Sequence, residues 1–203
     1  MTALGGRPIV LASASAPRAA ILASAGIEVL RDPAGVDEDE IKRSFRSEGL
    51  DAARCAAALA ETKAMRVSAR HTDALVVGAD QMLDCAGTWF DKPRDRNEAR
   101  AQLVALRGKR HELVSAVTVV KNGAVIWHLV DRPRLTMRAF SDNFLDAYLA
   151  ALGNEALMSV GVYQLEGLGA QLFERIDGDY FSILGLPLLP LLDFLRGHGV
   201  VMP

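Results

Sequence analysis

The sequence predicts an α/β protein built on a mixed sheet with flanking helices. Short apolar runs of strand length alternate with stretches of helical periodicity through the first half. Two long β-prone runs then flank Asn122-Gly123, a pair suited to a tight hairpin turn. The chain closes on a further apolar helical stretch, "LPLLPLLDFLRGHG". At 203 residues it is long enough for one domain with a substantial core, so a single domain over 1–203 is expected.

The elements follow in order. Ile9 to Ala12 is a buried-strand run after Pro8, and Arg18 to Ala25 has helical spacing ending at Gly26, a C-terminal cap. "IEVLRDPAGVDEDE" reads as a second strand running into an acidic loop. Asp51 to Arg70 is an alanine-rich helix carrying Lys63. "ALVVGAD" is a strand that the pattern ends at Asp80, which places this carboxylate at a strand tip. "DCAGTWFDKP" is a turn and returning strand, and "RNEARAQLVALRG" an amphipathic helix capped by Gly108. Residues 111–140 form long strands around the Asn122-Gly123 turn, and Ser141 caps the helix "DNFLDAYLAAL" before Gly153. "GAQLFERI" reads as a strand, followed by a Gly/Asp loop and the proline-started closing helix.

Composition narrows the function. A net charge of −2 provides no overall basic field for nucleic acid or an anionic membrane. Any phosphate-rich ligand therefore needs local positive charge or a metal. Cys55 and Cys85 form no CxxC pair and read as buried free thiols in a reducing compartment. The opening "MTALGGRPIVLASAS" lacks the pattern of a secretory leader, and no run reaches the ~18 apolar residues of a membrane span. A soluble cytoplasmic protein is expected.

Common signatures fail. "GLGAQL" begins like GxGxxG but has Leu172 where the last glycine belongs, and neither GxxxxGK[ST] nor GxSxG occurs. His71, His111, His128 and His198 lack metal-ligand spacing. What remains is a set of polar residues at element ends. Ser13, Ser15 and Arg18 offer hydroxyls, helix-start N–H groups and a guanidinium, which suit a phosphate; plain helix capping explains the serines almost as well. The carboxylates of Asp37 to Glu40 suit a hard divalent cation, or a solvated loop. Asp80 is poorly explained by packing. Lys92 in "DKP" and Lys63 in "ETKAMR" are cations that a plain surface also explains.

"LASASAPR", "VDE", "LAETKA", "GADQ", "DKP", "LRGKRHELVSAV", "GVYQLEGLG" and "GDYFSILGLPLLPLL" follow one another in this chain. In kind and order they resemble the motifs of the Maf family, from Leu11 to about Leu192. The resemblance implies an elongated α/β fold with a mixed sheet and a cleft between two lobes, like that of inosine triphosphatases, often as a homodimer. It also implies a nucleoside triphosphate pyrophosphatase that splits the α–β phosphoanhydride with a divalent metal, Mg or Mn. By position, Asp80 matches the proton acceptor for the attacking water. Ser13 and Arg18 match the phosphate-binding turn, Glu38 an acidic residue near the metal, and Lys63 and Lys92 lysines facing the triphosphate.

The chain departs from that pattern at Ala16-Pro17, where LASxSPRR relatives carry a proline and a further arginine. Gln81 and Glu166 resemble the subgroup that hydrolyses 7-methyl-GTP, where members preferring dTTP and UTP have threonine and glutamine. A carboxylate at Glu166 suits the N1–H and N2–H donors of a guanine edge and the positive charge of a methylated base. That subgroup usually has an aromatic residue where Pro17 stands. The resemblance also carries an alternative, a nucleotide-sensing regulator linked to septum formation; Asp80 with Lys63 and Lys92 discriminates, because a sensor needs no water-activating carboxylate.

Overall fold

The computed structural model describes residues 8–202; the opening residues 1–7, part of the stretch read for a leader, lie outside them. Eight strands form one sheet in the order β2-β1-β3-β5-β7-β8, with β4 pairing with β3 and β6 with β5. They are β1 (Ile9–Leu11), β2 (Leu30–Arg31), β3 (Leu75–Cys85), β4 (Thr88–Phe90), β5 (Arg110–Lys121), β6 (Ala124–Asp131), β7 (Arg134–Met137) and β8 (Phe173–Asp177). The α-helices are α1 (Ala16–Ser24), α2 (Glu38–Ser47), α3 (Ala52–Ser68), α4 (Arg96–Leu106), α5 (Asp142–Leu152), α6 (Tyr180–Ile183) and α7 (Leu188–Gly197). β1 pairs in parallel with β2 and β3, whereas β3/β4, β5/β6, β5/β7 and β7/β8 are antiparallel, so the sheet is mixed as expected. Among the described residues no helix is long and apolar enough to cross a membrane.

The chain divides into two compact units. The first holds the described residues through Gln81, Ser115–Asp131 and the residues from Asp179 onward. Its sheet is covered on both faces, which is why its strands read as continuous apolar runs. Ile9, Leu11, Leu75, Val77 and Ala79 pack with Ile21 and Leu22 of α1 and Leu188, Leu191 and Leu195 of α7. The alternate residues, Val10, Ala12 and Val76, pack with Ala64 and Val67 of α3. β5 serves both faces by the same alternation, Val117 and Val119 joining the first cluster and Val120 the second.

The second unit comprises Met82–Val114 and Arg132–Gly178. Here α4 packs on α5, and Leu103, Leu106, Leu113, Leu135, Met137 and Leu145 are fully buried.

Four expectations change. β3 does not end at Asp80 but continues to Cys85, so Asp80 sits mid-strand. Its polarity marks a buried site, not a strand end. The acidic loop is instead the start of α2: Asp37 caps it through Glu40 N–H, and Glu38, Asp39 and Glu40 fill its first turn, where the helix dipole favours negative charge. In "GAQLFERI" only Phe173 onward is strand, with a 3-10 turn over Leu168–Leu172 before it. The Gly/Asp loop contains the short helix α6, capped by Asp179. Both cysteines are buried, and neither forms a disulfide among the described residues.

Candidate functional site

The site begins where β1 turns into α1. Ala12 N–H still donates to Val77 O, extending the parallel ladder one residue past β1. Ser15 is the N-cap of α1, its Oγ accepting from Arg18 N–H. Pro17 lies in the first helical turn, where its missing N–H has no intrahelical partner to lose. The capping reading thus holds for Ser15. Ser13 has a different part: buried, its Oγ accepts from Ser15 N–H at 3.2 Å and from Arg18 Nη1 at 3.1 Å. Arg18 also donates through Nε to Gly185 O at 2.8 Å. Two of the three guanidinium nitrogens are thereby engaged, and among the described residues Nη2 makes no hydrogen bond and keeps its donors unspent. Burial pulls the Arg18 pKa down, opposed by the charges of Asp80 and Glu38.

Three further elements bring charged groups to one point. Lys63, buried on α3, places Nζ 2.7 Å from Asp80 Oδ1 and 2.6 Å from Glu38 Oε1. Glu38 stands in the first turn of α2, half-buried. Burial acts to raise its pKa, but the charge and hydrogen bond of Lys63, helped by Lys42 and Arg18, hold it below the ordinary carboxylate value. Asp80 is only 4% exposed. Burial raises its pKa against the pull of Lys63 and Arg18. Among the described residues its Oδ2 is buried without a hydrogen-bond partner, which native interiors rarely allow unless the atom has another use.

The arrangement can therefore hold a proton, a water or a cation at Oδ2. Among the described residues no group of three or more His, Cys, Asp or Glu side chains is placed to hold an ion. The pair Glu38 and Asp80 nevertheless fits a small hard cation such as Mg²⁺, which is commonly bound by one or two carboxylates with water and substrate phosphates completing its shell.

Of the residues singled out in the sequence, Ser13, Ser15, Arg18, Glu38, Lys63, Asp80 and Gln81 belong to the first unit. Gln81 directs its amide nitrogen to Ser115 Oγ, Ser182 O and Ile183 O at 2.9, 3.0 and 3.0 Å. Pro17 is exposed. Lys92, between β4 and α4, and Glu166, before the Leu168–Leu172 turn, are exposed residues of the second unit. Sequence reasoning missed Ser115, Ser182 and Gly185. The first two are buried polar side chains inside apolar stretches, "ELVSAV" and "YFSIL", and that mismatch was the available signal.

Fold and site together define a mixed-sheet α/β protein with a buried Lys–carboxylate centre beside a serine–arginine turn. The model of the family described as Maf-like protein matches residues 8–198. The chain belongs to that family. A protein of Paramagnetospirillum magneticum named nucleoside triphosphate pyrophosphatase is 57% identical, over 96% of this chain and 100% of its own. One of the same name from Granulibacter bethesdensis is 55% identical, over 94% and 96%. A protein of Rhizobium meliloti named 7-methyl-GTP pyrophosphatase is 47% identical, over 95% and 97%.

Proposed function

We propose that the protein is a nucleoside triphosphate pyrophosphatase, hydrolysing a nucleoside triphosphate to the monophosphate and pyrophosphate. The observation that carries this reading is the buried Asp80 carboxylate, one oxygen held by Lys63 and the other without a partner among the described residues. The names of the relatives support it. Asp80 orients a water against the α-phosphorus and takes its proton as the new P–O bond forms. The bond to the bridging oxygen then breaks and pyrophosphate leaves. Ser13 and the unspent donors of Arg18 hold phosphate oxygens, and Lys63 offsets charge as it moves toward the leaving group. A divalent ion on Glu38 and Asp80 would neutralise charge on the phosphoryl oxygens.

The motif resemblance adds Lys92 to the phosphate contacts and Glu166 to the base. Within this reading 7-methyl-GTP is a substrate to try beside the canonical nucleotides, supported by the Glu166 carboxylate and by the name of the Rhizobium meliloti relative. The reading carries with it a homodimer and, with neither cysteine in a disulfide among the described residues, a reducing compartment such as the cytoplasm. The septum-linked sensor draws no support from the relatives' names.

The test is pyrophosphate release from canonical and modified nucleoside triphosphates, with and without Mg²⁺ or Mn²⁺. Release that depends on the ion is expected. No release from any nucleotide under either condition overturns the reading.

A further inference from the structure

We propose that Gln81 is a positioning residue that acts on the nucleotide through Arg18, not by touching the base; the inference rests on the pyrophosphatase reading. The amide nitrogen of Gln81 is already committed inside the protein. It donates toward Ser115 Oγ, Ser182 O and Ile183 O, more acceptors than it has hydrogens. Ser115 closes the ring, because its hydroxyl accepts from Gln81 and donates to Ser182 O at 2.6 Å. These acceptors also fix the amide orientation, since a carbonyl oxygen turned toward two backbone carbonyls would be repelled.

The ring holds one particular turn. Asp179 Oδ1 accepts from both Ser182 N–H and Ser182 Oγ–H, fixing the residue from its amino side. Ser182 O, which Gln81 and Ser115 grip, also accepts from Gly185 N–H. Gly185 has φ +99°, a backbone state that glycine enters without strain. Its carbonyl then accepts from Arg18 Nε. A continuous set of hydrogen bonds thus runs from Gln81 through Ser182 and Gly185 to Arg18, and from Arg18 Nη1 to Ser13 Oγ. Ala16 and Pro17 leave Arg18 as the one arginine of the turn's own sequence, and Arg31, which reaches the turn from β2, is bonded to Ala14 O, so the direction of Arg18 matters the more.

A long side chain held in its bound direction loses less freedom on gripping an anion. Releasing it is expected to weaken that grip by about tenfold, whatever base the nucleotide carries. The variants are Gln81→Met, which keeps the length and removes the donors, and Ser115→Ala, a smaller lesion should the first fold poorly. Two readouts separate this inference from the activity itself. In NMR of arginine side chains, the Arg18 Nε–H, protected by Gly185 O, should exchange with solvent at least about tenfold faster in either variant; unchanged protection overturns the inference even if the enzyme hydrolyses nothing. In kinetics, KM should rise about tenfold for UTP and 7-methyl-GTP alike, with their activity ratio unchanged, and Gln81→Met should add nothing in an Arg18→Met background. A shifted ratio, or full additivity with Arg18→Met, would mean that Gln81 meets the nucleotide itself.

Discussion

Gly78 controls how closely α3 approaches β3, and replacing it tests whether that approach builds the site. A Cβ on Gly78 would stand 2.8 Å from both Ala64 N and Ala64 Cβ, and closer still to Ala60 O. Ordinary contact needs about 3.5 Å, so α3 must retreat by about 0.7 Å or more. The obstacles include helix backbone, which has no rotamer to change. Overpacking of this kind costs about 3 kcal/mol, the upper part of the usual range. In a chain of this size that lowers Tm by roughly 6–12 °C. Lys63 rides on the same turn of α3, between Ala60 and Ala64, and its ammonium lies 2.7 Å from Asp80. A shift of this order misplaces it and is expected to reduce turnover on the order of 10- to 100-fold. The assay is thermal unfolding of Gly78→Ala together with pyrophosphate release. Gly197→Ala serves as the control, because a Cβ there meets nothing within 4 Å and helix propensity favours alanine. If Gly78→Ala melts and turns over like that control, close helix–strand contact does not build the site.

Asp80→Asn is expected to lower turnover by about 10²- to 10⁴-fold while Tm stays level or rises, since a neutral amide replaces a buried carboxylate with an unpartnered oxygen; most of the wild-type rate surviving would remove Asp80 from the chemistry. Glu166→Gln should change the ratio of activities on 7-methyl-GTP and UTP by about tenfold, the size of one charged hydrogen bond, and an unchanged ratio would mean that Glu166 does not read the base. His111, buried against Tyr163 Oη at 2.8 Å, has its pKa lowered by burial to about 4. Between pH 6.5 and 4 the unfolded chain therefore binds a proton that the folded chain refuses, and stability falls with pH by about 3 kcal/mol. In urea unfolding across that window, His111→Phe should lose this part of the slope; a parallel decline would place the acid sensitivity elsewhere.

Elements with a local chemical signal were legible in the sequence. The Asn122-Gly123 turn takes φ of 49° and 74°, the left-handed pair that such a hairpin requires. Ser141 caps α5 through Phe144 N–H as its position suggested. α2 was hidden behind its acidic first turn, which reads as a loop, although Ile41 and Phe45 stand at helical i, i+4 spacing behind it. Asp80 was found as the anomalous carboxylate but put at the wrong point of its strand, because β3 is buried on both faces and shows no period that marks its end. The centre itself joins Arg18, Glu38, Lys63 and Asp80 from four separate elements. Their convergence depends on long-range packing, and only the motif resemblance had grouped them. Ser115 and Ser182, 67 residues apart, carried no local sign that they meet.

The charges of the centre bear on the divalent ion proposed above. Arg18 and Lys63 supply two positive charges and Glu38 and Asp80 two negative ones, so these four groups sum to zero. Lys63 spends its charge on the two carboxylates as long as both contacts of 2.6 and 2.7 Å persist. A triphosphate entering such a centre would meet little net attraction, and on the proposed mechanism Asp80 would repel the oxygens around the α-phosphorus. On the proposed function, Glu38 and Asp80 would hold a divalent cation that supplies the missing positive charge, and the Lys63 ammonium would then be free to meet the phosphates. The acidic pair that makes the centre poor for a bare polyanion thus makes it suited to a metal–nucleotide complex. On this account Lys63→Met should strengthen Mn²⁺ binding, measured by calorimetry without nucleotide, by removing the resident competitor, while weakening productive binding of the nucleotide. Weaker Mn²⁺ binding in a folded variant would show that Lys63 supports the ion site instead of occupying its place.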